Sequence, residues 1–185
     1  METVSFLDDG VHFKNYAIIP ASVFPHGSVS WTDLKEADPD CWPPELRLKS
    51  GEILFISAEK KEALAIACLR HKIPLAPRED IWGLLLEPFL DTEFTKDEQL
   101  QTNQRLIQCG FSKSEIEAIR TKLEKKMLFY NSFAWEWIHL GLYDLFAAQG
   151  LISRARLASI SSHWRVAHKQ KIYWWAMEIA NRKLL

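Results

Sequence analysis

The sequence predicts an α+β protein: a small N-terminal antiparallel β-sheet with one helix, followed by a C-terminal helical bundle. Three observations predict it. The first 58 residues carry short apolar runs between turn-forming residues. After Ser57 the apolar spacing changes to the three-and-four rhythm of helices and stays there. Strand and helix signals do not alternate, which argues against a parallel sheet wound with crossover helices. The switch predicts two regions, residues 1–74 and 75–185, hinged at the segment Pro74–Pro77.

Val4-Ser5-Phe6-Leu7 and Val11-His12-Phe13 flank Asp8-Asp9-Gly10, and Asp-Gly between apolar runs is a hairpin signal. Tyr16 to Phe24 is apolar but holds Pro20, which suits an edge or a bend. Val29 and Trp31 alternate with polar neighbours, the period of a half-buried strand. Leu46 and Leu48, the turn Lys49-Ser50-Gly51, and Ile53-Leu54-Phe55-Ile56 predict a second hairpin. Asp38 to Pro44, with three prolines, is expected to be a loop.

Lys60 to His71 reads as a helix with Ala63, Leu64, Ala67 and Cys68 on its apolar face, stopped by Pro74. A short helix is expected from Pro77 through Ile81–Leu86, ending near Pro88. Thr95-Lys96-Asp97-Glu98 has the spacing of a capping box, in which each side chain satisfies the other's free backbone donor. That helix should run to Gly110, with Phe111 closing the last turn. Ser112-Lys113-Ser114-Glu115 is a second such box, opening the stripe Ile116, Ile119, Leu123, Met127, Tyr130. An unbroken helix from there to Gln149 would span about 57 Å at ~1.5 Å per residue, so a bend or break is expected near Asn131-Ser132, or else an extended hairpin of helices. The last helix starts around Ser153, with the stripe Leu157, Ile160, Trp164, His168, Ile172, Trp175, Ile179.

A composition 48% hydrophobic and 25% charged is that of an ordinary soluble chain, and 185 residues bury enough surface to need no staple. No apolar run is long enough to span a bilayer, and Met1-Glu2-Thr3-Val4 lacks the basic start of a secretion signal. A cytoplasmic location is therefore expected. Cys41, Cys68 and Cys109 are widely separated, which argues against a disulfide framework and against a zinc site built on cysteine pairs. The net charge of −1 gives the whole chain no pull on nucleic acid, but residues 153–185, with seven basic side chains and the single acid Glu178, carry a basic excess that keeps nucleic-acid binding by the last helix as a weaker third reading.

The strand order through Val29-Ser30-Trp31, then the hairpin ending in Ile53-Leu54-Phe55-Ile56, then one helix, resembles a bacterial pleckstrin-homology-like module over residues 3–72. Five or six strands are counted here where that family usually has seven. The resemblance implies a binding or assembly scaffold.

The stretch Phe133 to Phe146 is apolar on nearly every face yet holds Glu136, His139 and Asp144. Enclosed polar groups must find partners, so these residues lead any search for chemistry. Glu136 and His139 form an E-x-x-H pattern, which on a helix shares one face, with Tyr143 a turn further on. Two-metal bundle proteins need two such copies and two more carboxylates. With one copy, no metal and no cofactor is expected, and a polar network with Arg182 or Lys171 is the simpler reading. A ligand site would combine Trp135, Glu136, His139 and Tyr143 with Glu87 and Asp91 from the acidic break Glu87–Glu93. No phosphate loop, nucleophile elbow or H-E-x-x-H occurs.

The final helix interleaves Arg165 and Lys169 with Trp174 and Trp175, a candidate interaction surface. The leading expectation is a binding or protein-interaction protein without catalytic machinery, paired with a protein partner or with itself. The alternative is a metal- or small-ligand-binding helical-bundle enzyme built around Glu136 and His139.

Overall fold

A computed structural model describes residues 3–90, 95–132, 139–153 and 163–183, the side chains of 163–166 excepted. Among these residues the architecture is α+β: two three-stranded antiparallel sheets and six helices.

The first sheet has the order β1 (Thr3–Phe6), β2 (Gly10–Lys14), β3 (His26–Ser30). Asp8-Asp9-Gly10 turns the first hairpin as expected, with Val4 opposite Phe13 and Ser5 opposite His12. Val4, Val11, Phe13 and Val29 are buried on one face, the outcome of period-two alternation. Trp31 lies beyond the strand in a 3-10 turn and gives its indole N–H to the Leu7 carbonyl at 2.8 Å. Its ring stacks on His71 with centroids 4.1 Å apart.

The second sheet joins β4 (Leu34–Asp38), β5 (Glu45–Leu48) and β6 (Ile53–Phe55). The β5–β6 hairpin is the expected one. Strand β4 has no clear signal in the sequence, because a bulge between Leu34 and Glu36 shifts the register. Leu34 and Ala37 are both buried at a spacing of three, which breaks the alternation that marks a strand. Both edges of this sheet are covered. Residues 74–76, expected as a hinge, pair in parallel with Ala37. On β6 the outward N–H groups of Ile53 and Phe55 reach Met177 Sδ (3.3 Å) and the Tyr16 hydroxyl (2.9 Å).

The helices are α1 (Lys61–Arg70), α2 (Ile81–Leu86), α3 (Lys96–Gln108), α4 (Lys113–Asn131), α5 (Leu142–Ala148) and α6 (His163–Ala180). Thr95 and Glu98 close the capping box reciprocally at the head of α3. Gly110 takes φ 83° and Phe111 N–H returns to the Leu106 carbonyl, the Schellman closure that glycine permits. Helix α4 stops at Asn131, where the break was expected.

The chain forms two compact units: residues 1–78 with 151–177, and residues 79–150 with 178–185. The region 75–185, expected as one all-helical domain, is thus divided between them. In the first unit the 151–153 stretch runs beside Ala17–Ile19, with Ile18 paired to Ile152, and α1 contacts β1. In the second unit α2 contacts α3, α4 and α5, around buried Trp82, Leu85, Leu106, Leu123, Met127 and Phe146.

Helix α6 keeps part of the expected stripe and corrects the rest. Ile179 is buried as expected and Ile172 and Trp175 are half-buried, but His168 is exposed, and Tyr173, Ala176, Met177 and Ala180 are buried beside that stripe. Residues 172–177 are almost all apolar, so several registers satisfy the periodicity, and packing selects one.

Candidate functional site

In the second unit the sequence folds two acidic residues and a histidine together. Asp80 is the N-cap of α2: its Oδ1 accepts the Gly83 N–H at 3.0 Å, an orphan donor of the first turn. Its Oδ2 lies 2.9 Å from His139 Nε2, both side chains being about half exposed. Just beyond, Asp144 in the first turn of α5 accepts the Gly141 N–H at 2.8 Å and the Tyr130 hydroxyl at 3.3 Å. Two glycines make room for the imidazole. A Cβ on Gly83 would stand 2.7 Å from Asp80 Oδ2 and 2.8 Å from His139 Cε1, and one on Gly141 3.4 Å from His139 Nε2.

The electrostatics follow from these contacts. The Asp80 hydrogen bond raises the His139 pKa above its ordinary 6.5, against the opposing effect of burial. Burial raises Asp144 above its ordinary 3.8, against the donors Gly141 and Tyr130. The arrangement is an aspartate-braced imidazole beside a second carboxyl, in which the histidine keeps its proton to higher pH than a free imidazole.

Of the residues expected to line a site, Trp135, Glu136 and Asp91 lie outside the described residues. His139 is described, but its partner is Asp80, not Arg182 or Lys171; Arg182 pairs with Glu115. The shared helix face proposed for His139 and Tyr143 does not form. His139 precedes α5 in a non-helical stretch, whereas Tyr143 lies within that helix. Glu87 accepts the Thr102 hydroxyl from α3, while Arg120 donates to the carbonyls of Leu84 and Leu85 and to Asn103. These contacts tie the end of α2 to its neighbours. No signal in the sequence points to Asp80, which lies 59 positions from His139 inside the helix expected from Pro77.

On α6, Trp174 is partly exposed with its ring edge-on to Tyr173, and Trp175 and Lys169 are half-buried. The Arg165 side chain lies outside the described ones. Among the described residues no three His, Cys, Asp or Glu side chains gather as a metal-binding set. The three cysteines form no disulfide, and burial pushes the Cys68 thiol up to about 11, away from thiolate chemistry.

Two apolar features in the first unit escaped the sequence reading. Trp42 is 76% exposed on a loop held from within. Asp38 Oδ1 accepts the N–H groups of Asp40 (3.1 Å) and Cys41 (3.2 Å), and Cys41 Sγ donates to the carbonyls of Asp38 and Pro43. Lys61 Nζ anchors Asp40 from α1 at 2.7 Å. On α1, Ile66 is 63% and Leu69 81% exposed, one turn apart. A tryptophan between prolines, and two large aliphatics off the helix's apolar face, were the available signals.

Compared with protein-family models, with curated proteins and with solved structures, the chain finds no match.

Proposed function

We propose that this chain is a cytoplasmic protein-interaction protein without catalytic machinery, which engages a protein partner through the Trp42 loop. The observation that carries this reading is the exposure of Trp42 on a braced loop. A tryptophan costs little conformational entropy to place and dominates interface energetics when it enters a pocket. A loop already fixed by Asp38 and Cys41 does not have to be ordered on binding. The likeness of residues 3–72 to pleckstrin-homology-like modules supports the same reading. No helix among the described residues is long and apolar enough to cross a membrane.

The test is a photo-crosslinking residue placed beside Trp42, at position 40, in the full chain inside its host cell. A discrete protein adduct that Trp42→Ala abolishes supports the reading. No adduct, with the fold intact by circular dichroism, removes it.

A second reading, a metal- or small-ligand site at the Asp80–His139 pair, is favoured by the half exposure of both side chains. Elemental analysis of protein purified without chelator tests its metal form. Stoichiometric Fe, Mn or Zn that His139→Ala eliminates would support that form, and the absence of metal in wild type would end it.

A further inference from the structure

We propose that the exposed face of α1 is the contact of a two-fold homodimer, in which the helices of two copies of this chain lie antiparallel across Ile66. This goes beyond the interaction reading: it names a second surface, its partner and their geometry.

Helix α1 buries Leu64, Ala67 and Cys68 and turns Glu62, Ala63, Ile66, Leu69 and Arg70 outward. At 100° per residue these five positions fall within about 120° of the helix circumference, so they form one strip. The strip is apolar in its middle and oppositely charged at its ends, with Glu62 in the first turn and Arg70 in the last. Among the described residues neither Glu62 nor Arg70 has a salt-bridge partner. Ile66 and Leu69, one turn apart, leave a contiguous apolar patch open at the centre of the strip.

The strip is its own complement when reversed. With the axis through Ile66, the residue n positions before it faces the residue n positions after it on the other copy. Ile66 then meets itself, Ala63 meets the partner's Leu69, and Glu62 meets the partner's Arg70. A small side chain thus sits opposite a large one, as close helix packing requires. Each charge meets its opposite, twice by symmetry, because an isologous interface repeats every contact. A parallel pairing would place Glu62 on Glu62 and Arg70 on Arg70. An acidic or basic partner surface would match one end of the strip and repel the other. Charge complementarity therefore selects a second, inverted copy of α1.

The experiment is sedimentation equilibrium of the full chain with charge exchange. Wild type should associate reversibly to a dimer as concentration rises. Leu69→Glu should abolish association over the same range. Glu62→Arg and Arg70→Glu should each weaken it about tenfold or more, since two attractive pairs become repulsive. Mixed in equal amounts, those two variants should regain near-wild-type affinity, because the mixed dimer sets a strip basic at both ends against a strip acidic at both ends. The double variant Glu62→Arg/Arg70→Glu should regain it as well, and added salt should shrink every charge effect.

A wild type that stays monomeric at all concentrations overturns the dimer, as do single exchanges without effect or a mixture that fails to recover. If a Trp42-dependent adduct with a different protein persists in any of those cases, the dimer falls and the interaction reading stands. If the dimer forms but no Trp42-dependent adduct does, the Trp42 reading falls and the dimer stands.

Discussion

Tyr173 donates its phenolic O–H to the Glu52 carboxyl at 2.7 Å, across 121 positions of sequence. The same buried carboxyl accepts the Ser22 N–H at 2.9 Å and the Ser22 hydroxyl at 2.6 Å, from a turn at the surface. One helix residue and one turn residue, with three donors between them, thus satisfy a buried acidic side chain, and α6 is held to Glu52 and Ser22 of its unit. Tyr173→Phe should cost about 1–2 kcal/mol in denaturant unfolding, and Glu52→Ala more, because it strands three donors. Burial raises the Tyr173 pKa above its ordinary 10.0. The unfolded chain therefore loses this proton first, and stability should fall as pH rises past about 10. That alkaline loss should be smaller in Tyr173→Phe, and an unchanged alkaline limb would count against the assignment.

The Asp80–His139 pair gives a second pH dependence with the same sign. His139 is raised above 6.5, so its contribution is complete below pH 6.5 and is lost as pH climbs through the folded-state pKa. Asp144, raised above 3.8, contributes in the same sense in the acid range. Proton NMR of the His139 ring should show a titration above 6.5 that Asp80→Asn moves downward. Both partners are about half exposed, so the stability change should be modest, below about 1 kcal/mol.

Gly83→Ala should part Asp80 from His139 with little net change in stability. The added methyl would push aside the ends of two half-exposed side chains, while alanine recovers about 0.5–1 kcal/mol of helix propensity. The same substitution should bring the His139 titration back toward 6.5. A stabilised Gly83→Ala with an unaltered His139 would show that the contact does not hold in solution.

Arg182 pairs with Glu115 while its guanidinium lies 4.0 Å above the Phe111 ring. The hydrogen bond lowers the Glu115 pKa below its ordinary 4.5, so this contribution is present above pH 4.5 and disappears as the solution is acidified past it. Arg182→Ala should cost about 0.5–1 kcal/mol at about pH 7 and less at about pH 3. Arg182→Lys should recover only part, because an ammonium group cannot stack flat on the ring while pairing with the carboxylate. An equal effect of Arg182→Ala at both pH values would contradict the pairing.

Much of the fold is legible along the chain because its causes lie a few residues apart. The Asp-Gly hairpin, the capping box of Thr95 and Glu98, the glycine closure at Gly110 and the stop at Asn131 each depend on bonds that span one turn or one loop. Strand β4 is less legible, since its bulge replaces alternation with a spacing of three between Leu34 and Ala37. The candidate site is legible only in half. His139 stands out as a polar residue in an apolar stretch, but nothing near it in sequence names Asp80.

Local chemistry along the chain was enough to specify where most turns, caps and helices begin and stop, and the α+β class with them. It left open which side of α6 is buried, which unit residues 151–177 join, and which acid braces His139. Those choices are made by contacts between segments dozens of residues apart. Periodicity reports only that a face is apolar, and the partner of that face is selected by the packing and hydrogen-bond satisfaction of the whole chain.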